Sequence, residues 1–236
     1  ALSPDQPTLA EAFKSRGYAT GAFVGAFVLD RRYGLDQGFS RYDDEIDRDN
    51  TPAGALEAER LGSEVTDRAL AWIGEAKGPF FAWVHLYDPH APYVPQEPYR
   101  TQFSNRPYDG EIASADAQVG RLLAMLEAKG LRGDTIIVVT SDHGEALGEH
   151  GELTHGLLLF EPTLRVPLIV SAPGATPGFV VRESVSLADL APTIATLAGV
   201  PFSLRADAGN DVSAAIRKGE EPSPEVIYSE TKYPEL

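Results

Sequence analysis

Thr135-Ile136-Ile137-Val138-Val139-Thr140 is built from β-branched side chains alone, and Ser141-Asp142-His143-Gly144-Glu145 follows it without a spacer. β-Branched residues are stiff about their first side-chain torsion and favour a pleated, covered strand. Just upstream, Ile112, Ala115, Val119, Leu122, Leu123 and Leu126 fall on one helical stripe that Gly130 closes. The stretch therefore predicts a helix, a buried strand, and a polar loop at the strand's carboxyl end.

The same alternation extends in both directions. Towards the amino end, Phe80 to Val84 is a short apolar run after Gly78 and Pro79, as in a strand covered on both faces. Before it, Leu61, Val65, Ala69, Trp72, Ile73 and Ala76 mark another helix face. Thr8 and Glu11 form a capping-box pair, which predicts a helix from Leu9 to Arg16, stopped by Gly17, and Tyr18 to Val28 predicts a strand. Towards the carboxyl end, Val166 to Ser171 predicts a strand and Leu187 to Leu197 a helix, while Pro222 to Pro224 predicts a surface loop leading into a strand that the chain hardly completes. Helices alternating with doubly covered strands imply an α/β architecture: a mixed, mainly parallel sheet sandwiched between helices, expected as a single domain over residues 1–236.

Composition narrows the function. The 236 residues carry 20 basic and 35 acidic side chains, a formal net charge of −15. A surface this acidic works against a partner held through phosphate contacts, so nucleic acid is set aside. With 43% hydrophobic and 23% charged residues the chain can bury a sizeable core. It has no cysteine, which removes disulfides, thiolate ligands and a cysteine nucleophile, and no apolar run is long enough to span a bilayer. Asp43, Asp44, Glu45, Asp47 and Asp49 crowd the segment from Arg41 to Asn50, which lacks the alternating ligands and glycine turn of a calcium loop and reads as a solvated acidic loop.

In open α/β sheets ligands bind beyond the carboxyl ends of the strands. His85 and His90 follow the strand at Phe80, His143 and His150 follow the strand at Thr135, and His155 completes the set. Asp142 and His143 offer a hard oxygen beside an imidazole nitrogen, a pair suited to Zn, Mn, Mg or Ca. By itself Asp-His-Gly is equally a turn with an exposed imidazole. Imidazoles at His90 and His155 could supply positive charge to an anionic ester and an acid to its leaving group. His150, between Glu149 and Gly151, could equally be a turn residue and is kept outside the core site. The loops bearing His90, Asp142 and His155 are expected to converge on one pocket at a rim of the sheet.

These residues resemble a known family. Asp88-Pro89-His90-Ala91-Pro92-Tyr93, Ser141-Asp142-His143-Gly144-Glu145, Leu147-Gly148-Glu149-His150-Gly151 and Leu164-Arg165-Val166-Pro167-Leu168-Ile169 look, in this order, like the motifs of sulfatase-like hydrolases of the alkaline phosphatase superfamily. Gly17-Tyr18-Ala19-Thr20, the helix with Asp116 and Gly120, and Asp189-Leu190-Ala191-Pro192-Thr193 add to the likeness. The resemblance implies an alkaline-phosphatase-like α/β sandwich and a metal-dependent hydrolase of sulfate or phosphate esters, small-molecule, glycan or lipid. It implies Asp142 and His143 as ligands of a divalent cation (Ca, Mn, Zn or Mg), and His90, His155 and His85 as catalytic-site histidines. His90 matches the histidine that contacts the ester, and His155 lies where sulfatases usually place a lysine near the leaving-group oxygen. Family members often work outside the cytoplasm, which favours a periplasmic or extracellular setting.

The chain also departs from the family pattern. Two acidic ligands on the family's first strand and the nucleophile segment would precede Ala1, and no Ser-X-Pro-X-Arg stretch is present. The chain is accordingly expected to be incomplete near both ends, with little activity by itself. Gly25-Ala26-Phe27-Val28 stands where sulfatases read Gly-Lys-Trp-His, and an imidazole at residue 155 carries less fixed charge than a lysine. Those changes favour a branch acting on phosphate esters or transferring a phospho-headgroup. A noncatalytic module that binds an anion in the same cleft is the alternative, and a purely structural domain would leave the histidines without a purpose.

Overall fold

A computed structural model of the chain describes residues 1–46, 58–203 and 209–231. The chain forms two compact units, Ala1–Arg132 and Gly133–Leu236.

In the first unit, α1 (Leu9–Ser15) starts at the expected capping box: the Glu11 amide donates to Thr8 Oγ1 at 3.1 Å, and the Thr8 amide donates to Glu11 Oε2 at 2.9 Å. Gly17 takes a left-handed conformation (φ +81°) and turns the chain into β1 (Ala19–Val24). β1 is the central strand. It pairs in parallel with β2 (Arg41–Asp43) on one side and with β3 (Phe80–His85) on the other, Ala19 opposite Phe80 through Val24 opposite His85. α2 (Gly62–Glu75) crosses over between β2 and β3, and α4 (Pro107–Ala128) follows the short α3 (Tyr99–Gln102).

Strand alternation gives β1 two buried faces. Phe23 joins Val65 and Ala69 of α2, with Trp72, Val84 and Leu122 around them. Ala22 and Val24 point the other way, with Tyr42, Phe39 and Trp83. On that second face the Phe13 and Phe81 rings stack 4.7 Å apart, and Phe39 stacks on both Phe81 and Trp83. The expectation of helix-covered strands holds here for a physical reason: neither face of β1 carries a side chain that needs water.

Two expectations are corrected in this unit. β1 ends at Val24 rather than Val28, because Gly25 is pressed against neighbouring backbone: a Cβ there would lie 3.2 Å from the His85 carbonyl oxygen and 3.3 Å from that of Arg60. The chain then leaves the ladder through a 3₁₀ turn, Phe27–Leu29, whose Phe27 packs with Ile46 and Ala58. The acidic stretch is not solvated at Asp43 and Asp44. Asp43 is 1% exposed and pairs with Arg60, Arg41 and Arg68, and Asp44 is clasped by the Arg31 guanidinium and backbone amide. Asp47 and Asp49 lie outside the described residues.

In the second unit, a 3₁₀ turn at Arg132–Asp134 leads to β4 (Ile137–Thr140), two residues later than expected. β4 pairs antiparallel with β5 (Leu168–Ser171), Ile137 opposite Ser171 and Thr140 opposite Leu168. α5 (Glu161–Leu164) precedes β5. The helix expected from Leu187 opens as a 3₁₀ turn with its own Ser186–Asp189 capping box and becomes α6 (Leu190–Leu197); α7 (Ser213–Lys218) follows. No strand forms after Pro224 among the described residues. Nor is any helix among them long and apolar enough to cross a membrane.

Candidate active site

Both expected loops leave the carboxyl ends of their strands, and each is held by its own unit. In the first unit His85 closes β3, with the Trp83 and Tyr87 rings 6.3 Å and 6.5 Å from its own. Five residues on, the His90 ring stacks on Tyr87 at 4.1 Å. Its Nδ1 lies 2.7 Å from the Ala91 carbonyl oxygen, which can only accept, so Nδ1 carries the proton and the Tyr87 hydroxyl donates to Nε2 at 3.1 Å. The ring is thus fixed at both nitrogens and on one face.

The backbone of this loop is fixed by acids. Glu111 of α4, 3% exposed, takes the His90 amide on one oxygen at 3.0 Å and the Val94 amide on the other at 2.5 Å. Burial pushes the Glu111 carboxyl up to about 7; the two amides pull it down, and the nearby Asp88 and Glu59 charges push it up again. Asp88 accepts from the Gly62 amide at the start of α2, and burial also raises it. An acidic side chain beside an apolar helical stripe gave no sign of this role. Its only signal was that a carboxylate buried on a helix must find donors.

In the second unit the loop after β4 is tight. The Ser141 hydroxyl donates to the His143 carbonyl at 2.7 Å, and the His143 amide donates to Asp142 Oδ1 at 3.1 Å. Gly144 is obligatory, since a Cβ would stand 2.0 Å from the Pro162 carbonyl oxygen. His143 Nδ1 lies 2.9 Å from the Gly144 carbonyl, which assigns the proton to Nδ1 and leaves the Nε2 lone pair facing outward, 3.8 Å from Asp142 Oδ1. The His155 ring stacks on His143 at 3.8 Å, and its Nδ1 lies 3.3 Å from the carboxylate of Glu145, whose side chain is 5% exposed. Asp142, His143 and His155 therefore come together, and His85 and His90 each have the Tyr87 ring as a neighbour. His150, with φ +54°, stacks on Phe160 at 3.9 Å instead. Glu145 and Tyr87 emerge as orienting partners that sequence reasoning assigned no part.

Among the described residues no group of three or more His, Cys, Asp or Glu side chains is gathered to hold a metal ion. The donor set here is two, a hard oxygen and an imidazole nitrogen whose other nitrogen is tied to a carbonyl. That arrangement fits the ligation chemistry of a divalent cation, where a second hydrogen bond fixes the histidine tautomer.

Strands that carry histidine loops at their carboxyl ends, one in a parallel three-stranded sheet and one in an antiparallel pair, together with the helices around them, fit an alkaline-phosphatase-like α/β fold. The sulfatase family model matches residues 1–200, and the chain belongs to the sulfatase family. It is 38% identical to arylsulfatase K of Danio rerio over 94 residues, 40% of this chain and 18% of that protein. It is 40% identical to choline-sulfatase of Rhizobium meliloti (strain 1021) over 97 residues, 41% of this chain and 19% of that one. The chain thus spans about a fifth of the length of these curated relatives. Among solved structures it resembles a phosphonate monoester hydrolase from Silicibacter pomeroyi, with a TM-score of 0.76 at 22% identity over 97% of this chain and 64% of that one. A structure solved with its substrate D-glucosamine-2-N,6-O-disulfate gives a TM-score of 0.77 at 19% identity, over 94% of this chain and 67% of that one.

Proposed function

We propose that this chain carries metal-ligating and ester-binding residues of a sulfate ester hydrolase. The observation that supports this most is the pair Asp142 Oδ1 and His143 Nε2, facing each other at 3.8 Å with His155 stacked behind. Asp142 and His143 would hold a divalent cation, Ca, Mn, Zn or Mg, and the cation would supply positive charge against the ester oxygens. His155 turns Nδ1 to Glu145, so Nε2 is the nitrogen we assign to the leaving-group oxygen. His90 is the residue we assign to the nonbridging oxygens, a contact for which Nε2 must carry a proton and exchange the Tyr87 hydroxyl for the ester, while Ala91 keeps hold of Nδ1; His85 supports that loop from the strand end. Relatives named arylsulfatase and choline-sulfatase favour a sulfate monoester. An imidazole in place of a lysine ammonium at residue 155 favours a phosphate ester as the second substrate class.

Calorimetric titration with each of the four cations tests the metal site: binding lost in Asp142→Ala supports it, and identical heats for both proteins overturn it. Assays with aryl sulfate and aryl phosphate esters then separate the substrate classes. Anion binding without turnover of either ester, in the full-length protein as well as in this chain, would favour a noncatalytic module.

A further inference from the structure

The loop from Asp88 to Pro95 owes little to regular structure. Pro89, Pro92 and Pro95 lack amide hydrogens, so from His90 to Val94 the available donors are His90, Ala91, Tyr93 and Val94. Two of these, His90 and Val94, end on the two oxygens of Glu111. The first turns of α4 press against the same loop: the Tyr93 and Tyr108 rings meet edge-on at 5.3 Å, and a Cβ on Gly110 would stand 2.8 Å from Pro95 Cγ. A carboxyl group whose two oxygens accept from both ends of the loop fixes its closure, and with it the direction in which residue 90 leaves the backbone.

We propose that Glu111 is a positioning residue that sets the place of the His90 imidazole by holding the His90 and Val94 amides on one buried carboxylate. The His90 ring has its own partners in Ala91, within the loop, and Tyr87, two residues after the end of β3. Glu111 is the tie that holds the His90 amide to a helix outside the loop. Its importance to function rests on the assignment of His90 to the ester oxygens; the tie itself does not.

Glu111→Gln is the informative variant. It keeps size and shape but replaces one acceptor oxygen with a donor NH2, which cannot receive an amide hydrogen. Amide hydrogen exchange on the whole chain is expected to show His90 or Val94 exchanging at least about tenfold faster, with β3 and the rest of α4 unchanged. Glu111→Asp, which retains both acceptors on a shorter stem, is expected to loosen the same two amides by less, and it carries the test if the glutamine variant does not fold. The second readout is inorganic sulfate binding, followed on the His90 ring resonances of the wild type and by calorimetry for Glu111→Gln and His90→Ala. Sulfate weakened about tenfold in both variants supports the proposal. Unchanged exchange at His90 and Val94 overturns it. Loosened amides with wild-type sulfate affinity, when His90→Ala still weakens binding, overturn the positioning role and leave the His90 assignment standing. Wild-type affinity in His90→Ala overturns that assignment, and the functional role of Glu111 with it.

Discussion

Glu111 is buried among carboxylates and backbone amides, whereas Asp43 is buried among guanidiniums. Burial raises the Glu111 carboxyl from 4.5 to about 7, so as pH climbs the unfolded chain gives up this proton before the folded one does. Folding stability tied to Glu111 is therefore full below about 4.5, falls through the interval to 7 and is flat above it, a loss on the order of 3 kcal/mol. Asp88 and Glu59, which face it, are raised too and add to the same trend. Urea unfolding at a series of pH values is expected to show this decline in the wild type and a shallower one in Glu111→Gln; equal slopes would contradict it. At Asp43 burial also pushes upward, but hydrogen bonds from Arg60 and Arg41 outweigh it and hold the carboxyl below its usual value. Its contribution is present at neutral pH and is lost only as acid reaches the lower carboxylate range. Because Asp43 and Arg60 are 1% and 3% exposed, Asp43→Ala leaves a buried guanidinium without its acid and should cost about 3–5 kcal/mol in the same measurement. Arg41→Ala, removing a half-exposed partner, should cost under about 1 kcal/mol. The sequence could not disclose this contrast: Arg31, Arg60 and Arg68 are distant in the chain from the acidic run they neutralise, and a charge run read locally is a solvated one.

Elements built on a repeating pattern were the legible ones. Val65, Ala69 and Ile73 on α2, and the alternation of Phe23 against Ala22 and Val24 on β1, follow from spacing alone because one face of each must leave water. Element ends were less legible, since they depend on what approaches from elsewhere. Gly25 stops β1 through backbone from β3 and from Arg60, and nothing in Gly25-Ala26-Phe27-Val28 announces those neighbours. The close approach of α2 to β1 follows the same logic: a Cβ on Gly21 would meet the Trp72 ring at 3.0 Å. Gly21→Ala should cost about 1–3 kcal/mol through overpacking, read as a lower denaturation midpoint with an unchanged slope. Exposure separates the two sheets in a way composition did not. β1 has five consecutive buried residues, whereas β4 and β5 have none, so amide exchange should be slowest in β1 and faster in β4 and β5.

At the scale of the whole molecule, the net charge of −15 bears on the metal site. Such a chain gathers divalent cations over its entire surface, and that diffuse attraction could imitate a site in any single titration. Two features separate them. Diffuse attraction between exposed charges is screened within about 8 Å at physiological ionic strength, while a carboxylate and an imidazole bonded directly to the cation are not. Diffuse attraction is also spread over 35 acidic residues, so removing one changes it little, whereas the proposed site loses half of its two donors with Asp142. A ligand that binds only the folded state at a hundred times its Kd stabilises by about 2.7 kcal/mol, worth about 10–20 °C in Tm for a unit of about a hundred residues. In 0.15 M salt the wild type is therefore expected to melt about 10 °C or more higher with saturating cation than with chelator. Asp142→Ala and His143→Ala should lose that increment, and Gly144→Ala should as well, because a methyl group there collides with the Pro162 carbonyl and must displace the loop that presents both ligands. Equal increments in all four proteins would show that the cation is held by the acidic surface as a whole rather than by the loop after β4.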